Sequence, residues 1–280
     1  MSALVMDDVV AVIHRLPSLP TVVMELMASI DQDDVDIDTL ALKIAQDQAL
    51  TAKTLRLANS SFYGRAQAVN TITEAIAILG FRTVRSVVTT AGLMQAIKHS
   101  GAQGPDLQPF WRHAIAVAVC ARELAPHLHV SPDHAYTAGL LHDIGRLVLA
   151  TQFFAHYSNV LAYRAAQGCG LIEAERRVLG VDHAAIGKTL AEYWKFPVHL
   201  QLAVGLHHAS EVPVAEHLTI VVMAADAIAH ALDLSQAHDD AVPAMLPQLW
   251  SRLGVADAVL LQIFACTEKQ FAAASQILAA

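Results

Sequence analysis

The chain has 280 residues, enough for one large or two small domains with a sizeable buried core. Hydrophobic residues make up 55% of it and charged residues only 16%, with few aromatics, a composition that favours tightly packed helices over sheets. The formal net charge of −8 argues against non-specific nucleic-acid binding by the chain as a whole.

The mean hydropathy of +0.42 makes a membrane span the next possibility to consider. The longest uncharged run, residues 147–163, argues against one, because Gln152, His156 and Asn159 would lie in hydrocarbon. No basic segment precedes an apolar run at the start of the sequence, so no signal peptide is expected. Three widely spaced cysteines indicate reduced thiols. We therefore expect a soluble, cytoplasmic protein.

In the first half of the chain, apolar residues recur at helical spacing, and proline, glycine and capping residues mark the turns. The two prolines of Leu16-Pro-Ser-Leu-Pro20 impose a stiff turn between the first two helices. Asp36 or Asp38 could cap the third helix, and Thr71 and Glu74 have the spacing of a capping box that opens the fifth. The predicted helices cover residues 6–14, 20–31, a segment around 40–45, 49–59, 71–80 and 81–97.

The second half is predicted to be helical again after a boundary at residues 101–109, where two glycines and two prolines occur among few apolar residues. No alternating run is long enough for a strand, so we expect an all-α fold. The predicted helices of this half cover residues 110–128, 132–150, 157–166, 171–179, 183–194, 199–208, 215–234 and 256–280.

Charge is unevenly distributed over the first third of the chain. Residues 1–42 carry one basic and eight acidic side chains, whereas residues 43–98 carry seven basic and two acidic ones. One interpretation is that the two blocks offset each other as adjacent helical layers, with basic side chains pairing with the acidic loop 31–38. The other is a docking surface for an acidic partner protein or a nucleotide second messenger, because the planar guanidinium suits phosphate and carboxylate recognition. The basic residues assigned to this surface are Lys53, Arg56, Arg65, Arg82, Arg85 and Lys98, with Arg56, Arg82 and Arg85 as the principal candidates.

The most informative stretch is residues 138–149, where His142 and Asp143 stand side by side in a mostly apolar run between Gly139 and Gly145. Adjacent helix residues point about 100° apart, so one apolar stripe cannot accommodate both polar side chains. A buried carboxylate requires a metal, a cation or several donors, and a histidine followed by an aspartate can offer a nitrogen and an oxygen to one ion. The glycines weaken the helix, which suggests that another backbone or a ligand comes close.

Other imidazole and carboxylate groups fall on or beside the apolar faces of the predicted helices. Each alone would more often be a hydrogen-bonded core residue, but together they would cost on the order of a few kcal/mol each if left unpaired. One or two divalent transition-metal ions would satisfy most of them, and imidazole-rich sites suit iron, manganese, zinc or nickel rather than calcium. The candidate ligands are His113, His142, Asp143, His183, His207, His208 and Asp226.

The order of these residues resembles the ligand series of the HD superfamily of metal-dependent phosphohydrolases, in particular the HD-GYP cyclic-dinucleotide phosphodiesterases. The Gly-Tyr-Pro loop of that group is missing, because the paired histidines continue here as His207-His-Ala-Ser-Glu-Val-Pro213. The segments 16–20, 47–59 and 72–80 look like the amino-terminal half of an HDOD domain, a bacterial HD-related output domain. The resemblance covers roughly residues 13–232.

The resemblance implies a two-lobed helical HDOD domain at 13–232, with an N-terminal lobe at 1–104, an HD-like lobe at 105–232 and a helical extension at 233–280. It implies a signal-transduction output or adaptor domain that binds a protein or small ligand, with a vestigial or regulatory metal site, because HDOD domains are generally regarded as lacking established catalytic activity. The alternative is a metal-dependent phosphohydrolase in which the seven residues hold the metals and Arg146 contacts a phosphate. The missing loop predicts negligible cyclic-di-GMP hydrolysis.

Overall fold

The structure is a computed structural model that describes residues 4–32, 35–60, 68–97, 105–237, 242–243 and 247–278. These residues form helices joined by short turns, and the described ranges contain no strand, so the predicted all-α fold is confirmed. No helix within those ranges is long and apolar enough to span a membrane. Of the residues discussed above, Arg65, Lys98 and the boundary segment 101–104 lie outside the described ranges.

The first six helices agree with the predicted positions, and side-chain hydrogen bonds cap the starts of the third, fourth and fifth. Asp36 caps the third helix by accepting a hydrogen bond of 3.0 Å from the backbone N–H of Thr39. Thr71 caps the fifth by accepting one from Glu74 N–H, while the Glu74 carboxylate accepts another from Asn70 N–H. The helices are α1 (Met6–Ile13), α2 (Thr21–Ala28), α3 (Ile37–Gln46), α4 (Gln48–Ala58), α5 (Ile72–Leu79) and α6 (Phe81–Ala96).

The remaining helices are α7 (Gln108–Leu124), α8 (Pro132–Leu141), α9 (Ile144–Gln152), α10 (Phe154–Gln167), α11 (Leu171–Leu179), α12 (His183–Tyr193), α13 (Val198–Leu206), α14 (His217–Ala231), α15 (Pro247–Ser251) and α16 (Asp257–Ala274). The short helix α15 was not expected from the sequence. The predicted helix 110–128 ends earlier, at Leu124, and passes into a 3₁₀ turn over Ala125–Leu128 that contains Pro126.

The main departure from the predicted helices is at His142 and Asp143. The predicted helix 132–150 is wrong there, because these two residues form a joint between α8 and α9. Asp143 leaves the helical conformation with φ −97° and ψ 13°, and its carbonyl accepts a tight hydrogen bond of 2.8 Å from Arg146 N–H. The break removes the geometric conflict of two adjacent polar side chains on one straight helix.

Residue contacts divide the chain into two compact units. The first, which we call the histidine unit, comprises Met1–Pro17 and Ile97–Glu268. The second, which we call the basic unit, comprises Ser18–Ala96 and Lys269–Ala280. The limits of the HDOD domain at 13–232 and of its two lobes stay a prediction.

The basic unit has an apolar core among α2, α3, α4, α5 and α6. Two of its buried hydroxyl groups, those of Thr54 and Thr90, donate at 2.8 Å to carbonyls of their own helices. Glu25 and Lys43 form an ion pair of 2.7 Å, which joins the acidic block to the basic one. The docking role expected for Arg85 needs correction, because Arg85 is only 7% exposed and its guanidinium lies 5.6 Å from the Phe81 ring centre. Both Arg56 and Arg82, by contrast, are exposed.

The histidine unit is built on α7, α8 and α14, with α9, α12 and α13 packed beside them. At Gly139, an added Cβ would lie 2.8 Å from the backbone Cα of Ala118. Glycine at this position therefore lets α8 lie directly on α7, so that their functional side chains come close together.

Candidate metal centre

The close approach of α9 and α12 positions the first part of the site. A Cβ at Gly145 would lie 1.9 Å from the carbonyl oxygen of His183 and 2.6 Å from the backbone nitrogen of Gly187. Only a hydrogen atom fits in this space, which confirms the expectation that another backbone approaches Gly145. The contact brings the first residue of α12, His183, against the joint that carries His142 and Asp143.

One half of the site, which we call the Asp143 half, gathers three imidazoles around one carboxylate. Oδ1 of Asp143 lies 3.0 Å from Nε2 of His183 and 3.5 Å from Nε2 of His207. The ring of His208 is 4.2 Å from the ring of His207, centre to centre. One potential ligand atom from each of these four residues falls within a sphere of metal-binding size.

The other half, which we call the Asp226 half, is organised by α7 and α14. Oδ1 of Asp226 lies 3.0 Å from Nε2 of His113 and 3.7 Å from Nε2 of His142. His230, one helical turn after Asp226, places its Nε2 3.2 Å from the same oxygen. His142 connects the halves, because its Nε2 is also 3.6 Å from Oδ2 of Asp143.

Hydrogen bonds on the far side of three rings decide which nitrogen faces the centre. His142 donates from Nδ1 to the Gly139 carbonyl, and His207 donates from Nδ1 to the Val204 carbonyl, each at 2.7 Å. His183 donates from Nδ1 to the carboxylate of Glu175, also at 2.7 Å. These bonds fix the ring orientations and leave each Nε2 directed at the centre, as is usual for imidazoles that bind a metal.

Glu175 is fully buried and also accepts the backbone N–H of His183 at 2.9 Å. Burial alone would lower the pKa of His183, but Glu175 and Asp143 on either side raise it to about 10. The two carboxylates therefore favour a doubly protonated His183 ring when no cation is bound. A metal ion at Nε2 would replace the proton on that nitrogen and supply the positive charge instead.

The other titrating groups give the centre neutral imidazoles beside ionised carboxylates. Burial lowers the pKa of His142 to about 4, outweighing the attraction of Asp143 and Asp226. Burial, together with the nearby His207 and His183, lowers the pKa of His208 to about 2. Although burial opposes their ionisation, the pKa values of both aspartates lie well below the usual range, because Arg146 and imidazoles surround Asp143 and imidazoles surround Asp226.

The donor set fits a transition-metal ion. The neutral ring of His142 directs the lone pair of Nε2 at two ionised carboxylates, an arrangement that is unfavourable unless a cation lies between them. Within the described part of the chain, His142 Nε2, both ring nitrogens of His113 and Asp226 Oδ1 are buried without a hydrogen bond of normal geometry. Imidazole nitrogens with a few carboxylate oxygens suit zinc, iron, nickel or manganese.

The structure brings together all seven of the predicted ligands, His113, His142, Asp143, His183, His207, His208 and Asp226. Their binding of a metal stays a prediction. Two residues were missed. His230 could have been found from its spacing of four after Asp226, whereas Glu175 carries no sequence signal, because it lies among charged residues and reaches His183 only through the fold.

Arg146, whose contact with a phosphate stays a prediction, lies beside Asp143 with 27% of its side chain exposed. Its guanidinium donates to Oδ2 of Asp143 and also interacts with the hydroxyl of Tyr157. Burial opposes its charge, but these two partners raise the pKa of Arg146 well above its usual range. Arg146 therefore neutralises one carboxylate of the centre from within the protein.

An all-α fold with a His–Asp pair at a helix joint, surrounded by further histidines, defines a protein of the HD type. The family model of the HDOD domain matches residues 16–210 of this chain. The chain therefore belongs to the HDOD domain family.

Three solved structures share the fold over nearly the whole chain. An HDOD domain protein of unknown function from Geobacter sulfurreducens has a TM-score of 0.79 and 23% identity, covering 98% of this chain and 99% of that one. A Shewanella amazonensis protein provisionally called a phosphohydrolase has a TM-score of 0.75 and 30% identity, covering 96% and 97%. A Marinobacter aquaeolei protein provisionally called a signal transduction protein has a TM-score of 0.81 and 22% identity, covering 100% and 62%.

Among curated proteins, an uncharacterised protein of Treponema pallidum is 25% identical over 201 residues. The match covers 70% of this chain and 38% of that protein, so the chain spans less than two fifths of this relative.

Proposed function

We propose that this chain is an output or adaptor domain of bacterial signal transduction, acting in the cytoplasm by binding a protein or a small ligand. Its metal centre is then regulatory or vestigial. The observation that supports this best is the burial of the donors: six of the seven predicted ligands are each at most 3% exposed, and the seventh, His208, is half-buried. Catalytic metal sites keep an open position and substrate-holding groups around it.

The residues that would hold the metal are the seven predicted ligands. A bound divalent transition metal would supply Lewis acidity toward an oxygen ligand and neutralise the two buried aspartates. This chain's own residues orient the donors, through Glu175 and the carbonyls of Gly139 and Val204.

A metal-dependent phosphohydrolase is the second candidate. It is favoured by the complete His and Asp series and by the 30% identity to the Shewanella protein provisionally called a phosphohydrolase. The segment after His208 lacks the Gly-Tyr-Pro loop of the HD-GYP phosphodiesterases, which argues against cyclic-di-GMP as the substrate. Arg252 holds this segment by donating three hydrogen bonds of 2.9 to 3.0 Å to the carbonyls of Val212, Pro213 and Val214.

One experiment separates the two candidates. Protein purified without added metal is analysed for metal content, reloaded with iron, manganese, zinc or nickel, and assayed against cyclic dinucleotides and simple phosphoesters. We expect bound transition metal and no turnover above that of the His142→Ala variant. Turnover that His142→Ala abolishes and the exposed-site control His127→Ala retains would establish the phosphohydrolase instead.

The basic unit is proposed to supply the docking surface, for an acidic partner protein or a nucleotide second messenger. Arg56 and Arg82 are its exposed arginines, and Arg85 is left out because it is buried. The variant Arg56→Glu/Arg82→Glu is expected to keep the melting temperature within a few degrees, because exposed charges contribute about 0–1 kcal/mol each. It should weaken binding of cyclic-di-GMP measured by calorimetry, if a nucleotide is the ligand. Unchanged binding would place the nucleotide site elsewhere.

A further inference from the structure

His230 adds a donor to the Asp226 half that the predicted ligand series does not contain. It lies in the last turn of α14, with its Nε2 3.2 Å from Oδ1 of Asp226. Its ring centre is 4.3 Å from that of His113, whose Nε2 is 3.0 Å from the same oxygen. The two imidazole nitrogens and the carboxylate oxygen all lie within 4.8 Å of one another.

The burial of this cluster points to a cation among the three groups. Asp226 and His113 are each 3% exposed, and neither Oδ1 of Asp226 nor the ring nitrogens of His113 make a hydrogen bond of normal geometry with the described residues. Buried polar groups left in this condition are costly. An ion bound to all three would satisfy them at once, whereas a proton on His230 would satisfy only Asp226.

We propose that His230 is a ligand of the ion in the Asp226 half, an inference that rests on the proposed metal centre. His142 lies beside the same carboxylate, with its Nε2 3.7 Å from Oδ1 of Asp226. His113, His142, Asp226 and His230 would then supply four protein donors. Four donors would fill the coordination sphere of a tetrahedral transition-metal ion.

The position of His230 gives this extra ligand a functional consequence. Its side chain is 15% exposed, against 4% for His113 and 5% for Asp226, so it lies on the more solvent-accessible side of the cluster. An imidazole there takes the place that water or a substrate oxygen would otherwise occupy. His230 thus closes this half of the centre and favours a structural or regulatory ion over a catalytic one.

The test is titration with Co(II), followed by visible absorption and by competition with a chelator. The main variant is His230→Gln, because glutamine can still donate a hydrogen bond to Asp226 but is a poor ligand for transition metals. The control is His127→Ala, which removes an exposed imidazole from the same unit. Circular dichroism melting shows whether each variant is folded.

We expect His230→Gln to bind one Co(II) ion at least about tenfold more weakly than the wild type, with altered absorption bands. The control should match the wild type. In His230→Ala, added imidazole should restore the wild-type spectrum, which a purely structural role for His230 would not allow. Wild-type affinity and spectrum in His230→Gln would overturn this inference and leave the proposed metal centre intact. A wild-type protein that binds no Co(II) would instead refute the metal centre itself, and this inference with it.

Discussion

Both compact units contain buried hydroxyls that bond within their own helices, but buried carboxylates paired with imidazoles occur in the histidine unit. In the basic unit, Thr54 and Thr90 are buried, and each donates its hydroxyl hydrogen to a carbonyl one turn earlier in its own helix, at 2.8 Å. In the histidine unit, the buried carboxylates of Asp143, Glu175 and Asp226 meet imidazoles from other helices. A polar group that bonds within its own helix keeps its hydrogen bond wherever that helix forms. A polar group that bonds across helices finds its partner only when the whole unit is packed and, at the metal centre, when a cation is bound.

The two units should therefore be sensitive to different kinds of substitution. The basic unit buries apolar side chains such as Leu26, Ile44 and Leu50 and should tolerate small changes by local repacking. The histidine unit holds its ligands through backbone-to-backbone contacts, which cannot adjust in that way.

An extra methyl group at a closely packed glycine should produce the largest difference in stability between the two units. Gly145→Ala places Cβ against the His183 carbonyl oxygen, a backbone atom, and we expect about 3 kcal/mol or more of destabilisation and loss of metal binding. Gly92→Ala meets only a methyl group of Val23, at 2.4 Å, and alanine gains about 1 kcal/mol of helix propensity. Denaturant unfolding measures both variants.

Gly170→Ala serves as the control for the first variant, because no atom lies within 4 Å of its added Cβ. Equal destabilisation by Gly145→Ala and Gly92→Ala would contradict the proposed difference between the units.

Metal loading should stabilise the histidine unit in particular. When the free metal concentration is one hundred times the dissociation constant of the metal, binding adds about 2.7 kcal/mol to the free energy of unfolding. This gain applies to the part of the protein that unfolds together with the site. Hydrogen exchange should slow in α7, α12 and α14 when Co(II) replaces EDTA, and less so in α4 and α6. The Asp143→Asn variant should lose the effect. Uniform protection of both units would show that they unfold together.

Removing the charge behind His183 should weaken metal binding while largely preserving the fold. Glu175→Gln keeps the size of the side chain but withdraws the carboxylate that holds the ring, so we expect affinity for Co(II) to fall about 10- to 100-fold. Competition with a chelator gives the affinity. The exposed residue Glu173 on the same helix provides the matched control, Glu173→Gln. An unchanged affinity in Glu175→Gln would mean that ring orientation is set by packing alone.

The smallest effect should come from the locally satisfied hydroxyl of Thr54. Thr54→Val keeps the shape of the side chain and removes one hydrogen bond to the Leu50 carbonyl, which still accepts its helical partner. We expect a loss of no more than about 1 kcal/mol in the free energy of unfolding. Thermal melting of the variant and of the wild type measures this loss of stability. A loss of about 3 kcal/mol would show that the basic unit is as sensitive as the histidine unit.

Sequence patterns were enough to predict the all-α class, most helix positions and the seven candidate ligands, because helical periodicity and misplaced polar residues are local signals. They also predicted that another backbone or a ligand would approach Gly139 and Gly145, because glycine is costly inside a helix unless its missing side chain is needed.

The packing of the helices fixes which chain segments form each unit and which neighbours complete the site. It groups residues 1–17 with 97–268, breaks the helix at His142 and Asp143, and places Glu175 behind His183 and Arg146 beside Asp143. These outcomes depend on atoms that are distant in sequence, and the free energy of burying a charge is set by whatever lies across the packed interface. The residues of a single sequence do not by themselves specify that interface. The partners of a buried charge are therefore known only once the packing of the helices is known.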